Sequence, residues 1–263
     1  MGALWTSLGM QTVGTVLYAA ALLALGRWPA IATSVLPWGI GLGLLGNLSL
    51  YFLYRSLAIG PIAVVSPVVA SYTAVTVILV VVFLGEQLSA LQTLAIVVTF
   101  AGVLLASTDI RQVVATLGRP LPGVRIALIA TIGFGCWGAL MAGATRTEEP
   151  LALVLVGRAS AMVALLVIVA ALRRRPPSDR SARAIGLLVA VGVFDTIANV
   201  LFVVGVQGGF AAIVATASGI YPVLPAVLAI VVLGERLALN QYAGIAVILG
   251  GLALLGLSAS PGS

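Results

Sequence analysis

One carboxylate lies near the middle of a stretch that is otherwise apolar enough to cross a membrane. Asp195 occurs in the segment GVFDTIANV, inside an apolar run from about 184 to 206. An aspartate at the centre of a membrane helix costs roughly 2.5–3.5 kcal/mol on insertion scales, so it should face other helices or a water-filled cavity. There it could carry a proton, bind a substrate amine, or serve as a structural hydrogen-bond partner for another helix. Asn199, one helical turn further on, shares the face of Asp195 and favours a polar cavity.

Arg158 is the second charge within an apolar run, in the segment LVGRASAM. Such charges are rare in membrane helices and indicate either a functional site or a tightly paired group. Three roles are open to this side chain. It could extend to the membrane interface, act as the counter-ion of Asp195, or bind a substrate carboxylate.

A glycine–glutamate pair occurs twice, each time at the end of an apolar run. Gly85 precedes Glu86, and Gly234 precedes Glu235. Each carboxylate could carry a proton or contact a substrate. Each could instead cap the free N–H groups at the start of the helix that follows, where the positive end of the helix dipole favours an acid. Their place at the membrane edge favours the cap, so we expect their loss to harm folding more than specificity.

Prolines within the apolar runs predict helix kinks, because proline leaves a carbonyl without its helical donor. The kink candidates are Pro67, Pro222 and Pro225. Nearby aromatic and amide side chains are candidates for the wall of a weakly polar substrate cavity, although each alone is more typical of ordinary packing. These candidates are Tyr72, Tyr221, Trp137, Tyr51 and Asn47.

The sequence offers no catalytic or metal-binding constellation. It contains no histidine, and the single cysteine, Cys136, excludes an internal disulfide and a cysteine metal cluster. It contains no nucleophile beside a base and no glycine-rich phosphate loop. We therefore expect neither enzymatic activity nor a cofactor.

Composition places these residues in lipid. Charged residues make up 8% of the chain and apolar residues 62%, whereas a soluble protein has about 25% charged residues. All 13 basic residues are arginines. They cluster between apolar runs without interleaved aromatic residues, which indicates membrane topology rather than nucleic-acid binding.

Nine apolar runs are close to the length needed to cross a hydrocarbon core of about 30 Å. Lipid cannot satisfy exposed backbone groups, so all nine should be helices and the fold an all-α integral membrane protein. The runs cover approximately 4–25, 37–57, 61–84, 89–107, 124–145, 151–172, 184–206, 211–233 and 239–257.

A repeat with an offset of 149 positions divides these helices into two related halves. The segments 81–107 and 231–257 overlap at this offset, so that the two glycine–glutamate pairs coincide and Gln92 matches Gln241. The second half has five predicted helices and the first has four, which match the last four of the second. The first half therefore lacks an opening helix, because either the true start lies upstream of Met1 or the helix was lost. We predict a first repeat at 1–107, a loop at 108–123, a second repeat at 124–257 and a tail at 258–263.

Arginine placement predicts the orientation in the membrane. With helices alternating across the bilayer, ten arginines fall on the side of Met1 and two on the other side. The side of Met1 should then be cytoplasmic and the C-terminus external. Glu86 and Glu235 fall at opposite faces, as an inverted-topology repeat requires.

The paired segments FLGEQLS and VLGERLA, with FGCWGALMAGATR at 134–146, resemble the EamA domains of the drug/metabolite transporter superfamily. The resemblance covers nearly the whole chain. It implies two inverted repeats of five helices each and the transport of small organic solutes, typically the export of amino acids, metabolites or drugs. It also implies a structural role for Arg158, since the family often has an arginine in this helix.

Three features depart from the family pattern. The first repeat lacks the helix that, in the family, helps to line the central cavity. A proline about a dozen residues before the glycine–glutamate pair is matched by Pro222, whereas the first repeat has Thr73 there and Pro67 earlier. The family usually has both termini in the cytoplasm, whereas the arginine count places this C-terminus outside.

Together these features predict a secondary transporter that exports a small organic metabolite or drug-like solute by alternating access around a midplane cavity. The expected location is the cytoplasmic membrane of a bacterium. Its partners would be the solute, the lipid bilayer and, if Asp195 couples transport, protons. The alternative is a non-transporting membrane scaffold, or a subunit that needs a partner because a cavity wall is missing.

Overall fold

A computed structural model describes residues 3–60, 62–108, 110, 123–173, 181–208, 211–218 and 238–258. Most of the predicted loop at 108–123 and most of the tail at 258–263 lie outside these residues. So do five predicted site residues, namely Tyr221, Pro222, Pro225, Gly234 and Glu235.

All regular structure in the described residues is helical, which confirms the predicted fold class. Among them, seven segments are long and apolar enough to cross a membrane, and α3 with α4 forms one of these, Val64–Leu84. α9 begins the predicted span at 211–233, and α10 is a shorter apolar helix. The helices are α1 (Ala3–Ala24), α2 (Val35–Ile59), α3 (Ile62–Ala70), α4 (Tyr72–Leu84), α5 (Ala90–Ser107), α6 (Val124–Ala144), α7 (Pro150–Ala171), α8 (Ala182–Gln207), α9 (Ala211–Ser218) and α10 (Leu239–Ser258).

The chain divides into two compact units. The first unit contains α1, α7 and α8, and the second contains α3, α4, α5, α9 and α10, while α2 and α6 contribute to both. Their bounds are Met1–Tyr51 with Leu140–Gly209, and Phe52–Ala139 with Phe210–Ser263.

In the first unit, α1 runs antiparallel to α7. Leu8, near the start of α1, clusters with Leu165 and Val169 near the end of α7. Tyr18, towards the end of α1, donates to the carbonyl oxygen of Leu151 at the start of α7, at 3.2 Å. One face of α1 therefore follows α7 along most of its length.

α2 packs against α7 through glycines, which let two backbones approach closely. A Cβ atom at Gly39 would lie 2.7 Å from Cβ of Val156, and one at Gly43 would collide with the carbonyl oxygen of Gly157. Contacts advance along both helices in the same direction, so α2 and α7 are parallel.

The second unit joins equivalent helices of the two repeats, α5 and α10. A Cβ atom at Gly102 would lie 2.7 Å from the amide nitrogen of Ile248, and one at Gly251 would lie 2.8 Å from the amide nitrogen of Thr99. The 149-residue offset turns one contact into the other, because Gly102 corresponds to Gly251 and Thr99 to Ile248. The contact is thus reciprocal, as in an interface with two-fold symmetry. Equivalent helices that run antiparallel are what an inverted-topology repeat predicts.

The span Val64–Leu84 is interrupted at Ser71, between α3 and α4. The interruption lies four residues after Pro67, which is inside α3. The carbonyl oxygen of Val68 accepts from the Ser71 hydroxyl and, at 2.8 Å, from the hydroxyl of Thr131 on α6. These hydroxyls satisfy a backbone group at the break, which lipid could not do.

Candidate functional site

Arg158 and Asp195, the two charges within the apolar runs, form an ion pair in the first unit. Nη2 of Arg158 on α7 lies 2.7 Å from Oδ2 of Asp195 on α8. The arginine side chain is 6% exposed and the aspartate side chain 33%. Of the three roles open to Arg158, the geometry is that of a counter-ion, which offsets part of the cost of placing both charges in a membrane.

The start of α7 is fixed by capping residues two turns before Arg158. Pro150 occupies the first turn, where its fixed φ suits the helix. The Glu149 carboxylate accepts a hydrogen bond from the amide of Ala152, and Ser34 donates to the neighbouring Glu148 at 2.8 Å. The loop before α2 is thereby tied to the N-terminal end of α7, two turns before Arg158.

Because Gly14 of α1 has no side chain, the guanidinium of Arg158 can pass beside it and contact α8. A Cβ atom at Gly14 would collide with Nη1 of Arg158 and lie 2.7 Å from Oγ1 of Thr196. Thr196 in turn donates to the carbonyl oxygen of Gly192 at 2.7 Å, and a Cβ atom at Gly192 would lie 2.9 Å from Cγ1 of Val13. α1 and α8 therefore approach each other closely where the arginine passes.

Two amide side chains also contact the ion pair. Nδ2 of Asn199 donates to the backbone oxygen of Asp195 at 2.8 Å and to its Oδ1 at 3.4 Å. Nη1 of Arg158 donates to Oε1 of Gln11 at 3.4 Å. The sequence predicted Asn199 as a cavity residue because it lies one turn after Asp195, whereas it gave no sign that Gln11 belongs to the site.

Two buried polar atoms in this region have no hydrogen-bond partner among the described residues. They are Nε of Arg158 and Oγ1 of Thr15. Thr15 lies one turn from Gln11 on the face of α1 that follows α7, and it is 8% exposed. Leaving a buried donor unpaired costs about 1–3 kcal/mol. The site therefore keeps a hydrogen-bonding capacity that its own side chains do not use.

Asn47 and Tyr51 lie on α2, also within the first unit. Both polar side-chain atoms of Asn47 are buried without a partner among the described residues. Asn47 follows Gly43 by one turn, so it continues the α2 face that meets α7. Tyr51 is half-buried one further turn along the helix.

Tyr72 and Trp137 lie in the second unit, on α4 and α6. The Tyr72 ring packs on Phe134 with centroids 5.7 Å apart and planes tilted by 53°. The Thr76 hydroxyl lies 3.2 Å from the carbonyl oxygens of both Tyr72 and Gly135, which joins the two helices. Trp137 is half-buried on α6.

Glu86 caps a helix, but not the helix predicted. Its Oε2 accepts from the amide of Ala212, in the first turn of α9, at 3.1 Å. The next helix, α5, begins with a local capping box in which Ser89 and Gln92 each accept from the other's amide. Because that box already serves α5, the carboxylate binds a helix of the other repeat. Gly85, with φ of 66°, ends α4 in the left-handed conformation that directs the chain there.

An open groove of about 800 Å³ lies at the end of α4, with Ile78, Val82 and Glu86 among its lining residues. Ile78 is 60% exposed and Val82 66%. Aliphatic side chains exposed on a membrane helix are typical of lipid contact, so the groove is not assigned to a solute. Among the described residues, no group of three or more His, Cys, Asp or Glu side chains could hold a metal ion.

Comparison with known proteins identifies a family. A sequence profile described as the EamA-like transporter family matches residues 1–108 and 121–257. No curated protein gives a significant match. A crystal structure of another protein is similar over 98% of this chain and 90% of that chain, with 21% sequence identity and a TM-score of 0.78. At that identity the likeness concerns the fold alone, whereas the profile confirms the resemblance drawn from the sequence.

Proposed function

The chain belongs to the EamA-like transporter family, and from this premise we propose that it is a secondary transporter that exports a small organic solute. It alternates between inward-open and outward-open states around a site near the middle of the membrane. The reciprocal contact of α5 and α10 supports this mechanism, because inverted repeats give a transporter two related conformations.

The observation that carries the proposal is the Arg158–Asp195 pair. Buried ion pairs are often replaceable by apolar side chains at little cost, so stability alone is a weak reason to keep one in a membrane. Intramembrane charges typically belong to substrate or proton pathways. Here the aspartate side chain is 33% exposed, which supports access of a solute or a proton to the aspartate of the pair.

We assign the transporter to the cytoplasmic membrane of a bacterium, with lipid and the solute as its partners. The excess of arginines on one side supports the orientation. The direction of transport rests on the family resemblance.

The proposal is tested with the purified full-length protein in proteoliposomes. Solutes that raise its melting temperature are selected first, because a ligand of the folded state stabilises it. Saturable exchange of such a solute above protein-free vesicles supports the proposal, provided that it is lost in the Arg158→Gln/Asp195→Asn double variant. The exposed Arg27 gives the matched control Arg27→Gln, which should retain exchange. A well-folded protein that exchanges no solute by itself would favour the scaffold or subunit alternative.

Protons are the proposed coupling ion, through Asp195. Asp195→Asn should lose the dependence of transport on an imposed pH gradient while solute exchange without a gradient persists. Full pH-gradient-dependent transport by this variant would show that Asp195 does not couple protons.

A further inference from the structure

We propose that the transported solute carries a carboxylate, and that this group replaces Asp195 on Arg158 during transport. The inference rests on the proposed function and names the substrate class of the same site.

Arg158 uses only half of the edge with which a guanidinium binds a carboxylate. Nη2 bonds Oδ2 of Asp195 at 2.7 Å, whereas Nε is buried and has no partner among the described residues. Carboxylates bind such an edge best through two parallel hydrogen bonds. The other oxygen of Asp195 instead lies 3.4 Å from Nδ2 of Asn199. A solute carboxylate can therefore make a bond that Asp195 does not make.

The two members of the pair differ in how firmly they are placed. Arg158 is enclosed, with Gln11 accepting from Nη1 and the space at Gly14 filled by the guanidinium. Asp195 is the more exposed partner, and Asn199 on its own helix remains beside it when Arg158 is taken. The arginine is thus the fixed receptor, and the aspartate is the ligand that can leave.

The exchange must conserve charge inside the membrane, where an uncompensated ion is costly. Once the solute has taken Arg158, the charge of Asp195 is balanced by a proton from water or by an ammonium group on the solute. The shared requirement in both cases is the carboxylate on Arg158.

The test measures the melting temperature of the full-length protein with acids and their primary amides. The probes are formate with formamide, 3-phenylpropanoate with its amide, and phenylalanine with phenylalaninamide. Acids should raise the melting temperature and the matched amides should not. Arg158→Gln should weaken acid binding about 30-fold or more, which corresponds to ~2 kcal/mol for a lost partner of a buried charge.

Asp195→Asn gives the sharper test, because it should strengthen acid binding, whereas Arg158→Gln should weaken it. It removes the internal competitor for Arg158, so the acids without an ammonium group, formate and 3-phenylpropanoate, should bind more tightly than to the unmodified protein while the amides still do not bind. If the pair were purely structural, Asp195→Asn would lower the stability of the protein without tightening the binding of acids. Arg158→Gln/Asp195→Asn replaces the pair by neutral hydrogen-bonding groups and should fold without acid preference, whereas Arg27→Gln should keep it.

Several results would overturn the inference. These are equal responses to acids and amides, an acid response that survives in the double variant, no gain for formate and 3-phenylpropanoate in Asp195→Asn, or no response to any acid. If proteoliposomes of the same protein still exchange a solute that has no carboxylate, the transporter function stands and only the carboxylate inference fails. Absence of all exchange overturns the function itself. A response to phenylalanine but not to 3-phenylpropanoate indicates balance by ammonium, and a response to both indicates balance by a proton.

Discussion

A glycine on α1 decides whether the two membrane-embedded charges can meet. A Cβ atom at Gly14 would overlap Nη1 of Arg158 and crowd Thr196. We expect Gly14→Ala to lower the free energy of unfolding by about 1–3 kcal/mol, the usual cost of overpacking, and to reduce transport because the guanidinium is displaced from Asp195. Chemical unfolding in detergent and solute exchange in vesicles measure the two effects.

Gly41 on α2 is the matched control for this prediction, since a Cβ atom there would meet nothing within 4 Å. Gly41→Ala should be neutral or stabilising by up to ~1 kcal/mol, because alanine lowers the entropy cost of forming a helix. Equal losses of stability in Gly14→Ala and Gly41→Ala would show that the space at Gly14 has no special role.

At the residue scale, the sequence identified the charges of the site but not their surroundings. Asp195 and Arg158 stand out because each is a charge in an apolar run. Whether residues 37 positions apart meet depends on the packing of α1, α7 and α8, which hydropathy does not encode. Gln11 and Thr15 were missed because isolated polar side chains are common in such runs, and Gly14 looks like any packing glycine.

At the scale of elements, the two repeats start their last helices with unequal caps. In the first, the amide of Ser89 donates to Gln92 at 2.9 Å and the Ser89 hydroxyl accepts in return. In the second, the amide of Ala238 donates to Gln241 at 3.0 Å, but alanine has no hydroxyl. Ala238→Ser should complete the box and raise the free energy of unfolding by about 0.5–2 kcal/mol. Ser89→Ala, measured in the same unfolding assay, should lose a similar amount, and a loss in Ala238→Ser would contradict this account.

The Glu86–Ala212 bond links the α4–α5 connection to the start of α9 in the other repeat. Glu86→Ala should cost about 0.5–2 kcal/mol, as for a lost helix cap. Ala212→Pro removes the donor in the first turn of α9, where proline breaks no helical hydrogen bond. Because Ala212 is fully buried, the proline ring adds a packing cost of its own. If the bond exists, the double variant should lose less stability than the sum of the losses in the two single variants. Strictly additive losses would refute the bond, and the exposed neighbour Gln87→Ala should change stability little.

Hydropathy predicted helix bounds closely, because the length of an apolar run is set by the bilayer. The predicted span 4–25 became Ala3–Ala24, and 239–257 became Leu239–Ser258. It did not predict the break at Ser71, whose cost is offset by the hydroxyl of Thr131 on another helix. Nor could it predict the partner of Glu86, which lies 126 residues away. Features that depend on contacts between helices lay beyond the sequence pattern.

At the scale of the whole molecule, the 149-residue offset predicted which residues of the two repeats are equivalent, and in the structure one such pair of equivalent residues lies in the same helix–helix contact. α5 and α10 meet through Gly102 and Gly251, which correspond by the repeat. Because the contact is reciprocal, the stability of the protein should be equally sensitive to substitution at Gly102 and at Gly251. Substitution on either side should therefore have nearly the same consequence, although the two residues belong to different repeats.

We expect Gly251→Ala and Gly102→Ala each to lower the free energy of unfolding by about 1–3 kcal/mol, because the added Cβ meets the backbone of the partner helix. Gly250 is the neighbouring control, since a Cβ atom there would meet nothing within 4 Å. Gly250→Ala should change stability by less than ~0.5 kcal/mol or increase it. The double variant Gly102→Ala/Gly251→Ala should cost less than the sum, because helices separated by one methyl already accommodate the second. A large loss on one side only, measured by unfolding of the full chain, would show that α5 and α10 are not related by the symmetry of the repeats.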